Sequence, residues 1–124
     1  GFGSQIELDE HWKDHGWMYP GWTKAQYQDH AVWLASQKCE SGQIRGFESG
    51  NVVVRYDPQN NDFVKADVDT DVITMFKPTD GAAYYEYQRK GGATTPCLNI
   101  YVQYVESTNF PKKTHTFPAR YVDG

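Results

Sequence analysis

The sequence predicts an α+β fold in which N-terminal helices pack on a mostly antiparallel, twisted β-sheet. Three observations carry that expectation. Two helix-start signatures, "SQIE" at 4–7 and "TKAQ" at 23–26, place a hydroxyl residue three positions before Glu or Gln. From Asn51 onward, short β-branched and aromatic runs alternate with turn residues. Helices that precede a run of strands, rather than alternating with them, favour an antiparallel sheet. At 124 residues the chain reads as one domain, 1–124, with a single core.

Taken in order, Ser4 caps a first helix whose Leu8, His11, Trp12 and His15 recur at i, i+3, i+4 and i+7, with Gly16 as its stop. "WMYPGW" at 17–22 is a turn carrying aromatics. Thr23 caps a second helix from Lys24 to about Gln37, with Tyr27, Ala31, Leu34 and Trp33 on its apolar side. A short strand is expected at 43–47. "VVVRY" (52–56) and "FVKADV" (63–68) form a hairpin around "DPQNND", and "VITMF" (72–76) follows "DTD". Further strands are expected at 83–88 ("AYYEYQ"), 98–105 ("LNIYVQYV") and, on an edge because of Pro118, 114–122. "RKGGATTP" (89–96) reads as a flexible joint.

Composition narrows the function classes. Four Trp, nine Tyr and six Phe supply a ring-built core and argue against disorder. The net charge is −4, with six acids against three Lys/Arg in residues 1–42 and ten against nine in 43–124. That excludes a broad basic surface for nucleic acid but leaves room for a small basic cleft. No apolar run approaches a membrane span, and no charged-then-apolar signal opens the sequence, so an export address is expected on a larger parent chain. Cys39 and Cys97 form neither a metal nor a redox motif. A disulfide and two separate buried thiols both fit their spacing.

The stretch "DEHWKDHGW" sets two histidines four residues apart. As metal ligands they lack further partners and the adjacent Glu of the zinc-protease helix, so no metal is expected. On an apolar stripe they can be structural. At the last helical turn, His15 is also placed for proton transfer, with His11 as an auxiliary. In the β half, alternation sets Arg55 on the side of Val53, away from Val52, Val54 and Tyr56; solvent exposure is its default reading. Thr74 is central in its strand, Lys77 ends it, and Tyr84, Tyr85 and Tyr87 crowd the next. Each has an ordinary packing role. Together they suit metal-free RNA cleavage through the 2′-hydroxyl: a base, an acid, and cations or hydroxyls on the phosphate.

The order of these motifs resembles a known family. An "HWxxHG" helix end, a Tyr-containing second helix, "VVVRYDPQNNDF" and "VITMFKP" are similar to the C-terminal toxin domains of contact-dependent growth inhibition and related polymorphic toxin systems. These belong to the barnase/EndoU/colicin/RelE-like superfamily of metal-independent RNases, and the likeness spans residues 6–88. The resemblance implies His15, Arg55, Thr74 and Tyr85 as catalytic residues, with Tyr84 as alternative to Tyr85, and sets Lys77 at its "FKP" position; Lys77, His11 and Tyr84 are expected to bind substrate. It implies an RNase without cofactor, directed at tRNA, delivered on a larger effector into the cytoplasm of target bacteria and blocked by a cognate immunity protein. Two departures stand out. Asp71 occupies a turn position where the family has glycine, and residues 89–124 match no part of the pattern. A competing reading is a non-enzymatic module whose Trp17, Tyr19 and Trp22 form an exposed platform for sugar or a protein partner. An inactive toxin-like fold kept for partner binding is a third.

Overall fold

In a computed structural model of the chain, residues 5–92 and 95–108 are described, with side chains for 9–92 and 95–107. The elements run α1 (Gln5–His15), a 3-10 turn (Gly16–Met18), α2 (Lys24–Ala35), β1 (Glu40–Ser41), β2 (Ile44–Ser49), β3 (Val52–Asp57), β4 (Asp62–Asp67), β5 (Val72–Phe76), α3 (Ala82–Gly91) and α4 (Ile100–Thr108). The α+β class is as the sequence predicts. The strands form one sheet in the order β1-β2-β3-β4-β5, every neighbouring pair antiparallel.

That meander follows from its turns. After β3, the Asp57 carboxylate accepts from Gln59 N (3.0 Å) and Asn60 Nδ2 (2.9 Å), and Asn61 takes a positive φ of 54°. After β4, Asp67 Oδ1 accepts from Asp69 N at 2.8 Å and Thr70 N at 3.2 Å. Short side chains that bond their own backbone two or three residues on reverse the chain without help from the core. Asp71, where the resembled family has glycine, sits at φ 59° and accepts a hydrogen bond from Tyr104 of α4.

The second helix starts where its capping box predicts. Thr23 Oγ1 accepts from Gln26 N at 3.1 Å, and Gln26 Oε1 accepts from Thr23 N at 3.0 Å. Its Tyr27, Ala31, Leu34 and Trp33 are buried against Val53, Val64, Ala66, Ile73 and Met75, and this cluster is the main core. Tyr27 OH donates to Met75 O (2.5 Å) and accepts from Met75 N (3.2 Å), tying α2 to the middle of β5. The other sheet face carries a smaller cluster of Val54, Tyr56, Phe63 and Tyr85.

Two expected strands are helices. Residues 83–88 lie in α3, where Gly81 (φ 56°) turns the chain and Glu86 pairs with Arg89 three residues on. Residues 98–105 run into α4, whose Ile100, Tyr101, Tyr104 and Val105 pack on the main core at i, i+1, i+4 and i+5. A helical period was therefore present beneath the strand-like alternation of this aromatic and β-branched run. The joint expected at 89–96 begins inside α3. The Ser4 cap and the strand at 114–122 lie outside the described residues. No described helix is long and apolar enough to cross a membrane.

Candidate active site

Antiparallel register sorts the polar residues of the sheet onto two faces. One cross-strand row reads Phe47–Val54–Lys65–Thr74, from β2 to β5, and a parallel row two residues away reads Tyr56–Phe63–Phe76. Both rows lie on the face opposite α2, because side chains alternate along a strand. Strand β5 is the sheet edge, and α1 packs beside it.

Each row ends on a histidine of α1. Thr74 Oγ1 lies 3.1 Å from Nε2 and 3.2 Å from Nδ1 of His11, so either tautomer can pair with the hydroxyl. The His15 ring stacks on Phe76 with centroids 5.3 Å apart and planes 28° from parallel. Spacing of four residues puts both rings on one side of the helix. The "HWKDH" motif thus lays two imidazoles along the β5 edge of the face that α3 partly covers, next to Thr74 and the exposed Lys65.

His15 is held toward its neutral form. Burial lowers its pKa below 6.5, Asp14 opposes that shift, and the neighbouring His11 adds to it. Its Nδ1 is buried without a hydrogen-bond partner. A neutral, desolvated imidazole is a proton acceptor.

Arg55 lies on the opposite face. It pairs in register with Val64, and Val64 with Met75, so it shares the side of the main core. Its relative exposure is 0%, against a default expectation of a solvated residue. Nε donates to Gln37 O (2.8 Å), Nη1 to Val54 O (2.8 Å), and Nη2 to Glu48 Oε2 (3.0 Å) and Asn99 Oδ1 (3.4 Å). Glu48 in turn accepts from Leu98 N (2.9 Å) and Ile100 N (3.1 Å), so the ion pair caps the start of α4. Burial pulls the Arg55 pKa down and the Glu48 bond resists. The guanidinium is laid over Gly46, where a Cβ would meet Arg55 Cδ at 2.5 Å and Val54 O at 2.6 Å; only glycine fits there. The structure therefore does not bring Arg55 to the Thr74 row.

The remaining expected residues divide similarly. Lys77 follows Met75 onto the α2 side, where Nζ donates to Asp62 Oδ1 and Asn60 O, both at 2.8 Å, and lies 4.8 Å from the Tyr19 ring centroid. Asp62, 2% exposed, also accepts from Tyr19 OH (3.0 Å) and contacts His30 Nε2 at 3.2 Å. Burial would raise the Asp62 pKa, but hydrogen bonds from His30 and Lys77 keep it below the usual carboxylate range. Tyr85 is buried, stacked 5.7 Å from Tyr56, and burial raises its pKa. Tyr84 is half-buried, edge-on to Phe63 and Phe76, and flanks the His15 row.

In the aromatic turn, Tyr19 is buried and Trp22 packs on Tyr19 and His30, leaving Trp17 exposed at 75%. The three do not form a platform. No family model matches the chain, and no curated protein matches it.

Lys65 was missed in the sequence. Its signal was the alternation of "FVKADV", which opposes it to Val64 and Ala66, and the hairpin pairing that sets it beside Thr74. Cys39 and Cys97 are joined as a disulfide. With Glu48 they are the one group of three metal-type ligands among the described residues, and the sulfurs are spent on each other.

Proposed function

We propose that the chain is a metal-independent ribonuclease that cuts RNA at its own 2′-hydroxyl. The observation that carries this reading is the pair of α1 histidines at the β5 edge, set against Thr74 and the exposed Lys65, on a sheet face that α3 covers only in part. His15, desolvated and below its ordinary pKa, takes the 2′-OH proton. The 2′-oxygen then attacks phosphorus, the P–O5′ bond breaks, and a 2′,3′-cyclic phosphate forms. His11 delivers a proton to the departing O5′, leaving a 5′-hydroxyl. Lys65 and Thr74 Oγ1 hold the phosphoryl oxygens as charge builds. Arg55, Lys77 and Tyr85 serve the fold in this scheme, and Tyr84 borders the site.

The resemblance of the helix-end and "VITMFKP" motifs supports a finer reading: a toxin domain of bacterial competition acting on tRNA in a target cell, with an immunity protein covering the histidine edge. The test is incubation of the purified chain with total bacterial RNA in EDTA. Discrete cleavage is expected, reduced about a hundredfold or more in His15→Ala and in His11→Ala. Intact RNA with folded wild-type protein would refute the nuclease reading.

A further inference from the structure

A groove of about 620 Å³ opens between the C-terminal half of α3 and the part of the sheet face that this helix leaves accessible. Phe47, Val54 and Lys65 line it from the sheet, and Tyr87, Lys90 and Gly92 from the helix side. We infer that this groove binds a nucleobase of single-stranded RNA beside the cleaved phosphate, with Lys65 and Lys90 on the flanking phosphates. The inference rests on the nuclease reading and deepens it by assigning where the substrate strand lies.

Three features point to that occupant. The first is continuity: Phe47, Val54, Lys65 and Thr74 are one cross-strand row, so the groove and the histidine edge share a floor. Val54 and Thr74 are two strand spacings apart, about 10 Å, with Lys65 between them. The second is charge. Both charged residues lining the groove are lysines, in a chain whose net charge is −4. A local cationic lining in an acidic molecule selects a polyanion. The third is aromatic surface. Tyr87 is 75% exposed at the groove and Phe47 is half-buried in it, and rings of this kind stack bases without regard to sequence. Gly92 closes one end of the groove, where a Cβ would meet Phe47 Cε2 at 2.9 Å.

The experiment measures binding of a short, single-stranded 2′-O-methyl oligoribonucleotide by fluorescence anisotropy. The probe lacks the 2′-hydroxyl and is not cut, so binding is read apart from chemistry. Tyr87→Ala and Lys90→Gln alter exposed side chains, and circular dichroism confirms their fold. Each is expected to weaken binding about tenfold. Lys90→Gln should also reduce the slope of log affinity against log salt by about one. Affinities equal to wild type in both variants would overturn the subsite, even if His15-dependent cleavage stands. Binding that depends on Tyr87 and Lys90 in a chain that cuts no RNA would uphold the subsite and sink the nuclease reading. A wild-type chain that fails to bind the probe would overturn the subsite.

Discussion

The two faces of the sheet treat charge in opposite ways. Toward α2 and α4, the charged groups are closed in on one another: Arg55 on Glu48, and Lys77 on Asp62, which also contacts His30. Toward α3, Lys65 stands exposed beside Thr74, and His11 and His15 line the edge. A cation that has already satisfied its hydrogen bonds inside the fold has little left for a ligand, whereas an exposed one keeps that capacity. The difference separates residues that hold the sheet together from residues available for chemistry.

Substitution of Arg55 tests that separation most severely. Arg55→Ala leaves Glu48 buried without its cation and is expected to cost about 3–5 kcal/mol. Urea denaturation checks this, and a variant as stable as wild type would break the contrast. The protonation of His15 comes next. An NMR titration of its ring should show a midpoint below 6.5, and His11→Gln should move it upward by removing a neighbouring positive charge. The sign for stability follows. The folded chain binds this proton less readily than the unfolded one, so the contribution is complete above 6.5 and is lost as pH falls through the lower, folded value. A midpoint at or above 6.5 would remove the argument for His15 as base. Lys65→Ala should have the smallest structural effect, with stability within about 0.5 kcal/mol of wild type. Its kcat/KM on RNA should nonetheless fall about tenfold. Loss of stability without loss of rate would place Lys65 with Arg55.

Much of the molecule was legible from local chemistry. The Thr23–Gln26 box fixed the start of α2, and the Asp-rich turns fixed the hairpins, because both signals are contained within a few residues. The histidine stripe and Thr74 could be picked out for the same reason. The misreadings came from residues whose meaning depends on distant partners. "AYYEYQ" and "LNIYVQYV" have strand-like composition, and what makes them helical is packing: Tyr84 and Tyr85 against different aromatics, Tyr101 and Tyr104 against the main core. Arg55 followed from that error. Alternation assigned its face correctly, but the groups that close over it, Gln37 O, Asn99 and the start of α4, are distant in sequence. Lys65 was hidden by the same logic in reverse, since only the register with β5 places it beside Thr74.

The disulfide gives the chain a covalent shape that the hydrogen-bonded fold does not disclose. Cys39 and Cys97 are 58 residues apart, and β1 through β5 and α3 all fall between them. The stretch of chain that builds the sheet is thus a covalent ring, with α1 and α2 on one tail and α4 on the other. Closing a ring of that size removes about 4 kcal/mol of chain entropy from the unfolded state. It also changes what one peptide-bond cut can do. A nick in the turn between Asp57 and Asp62 opens the ring but leaves a single covalent molecule, and reductant under denaturing conditions then separates it into two pieces.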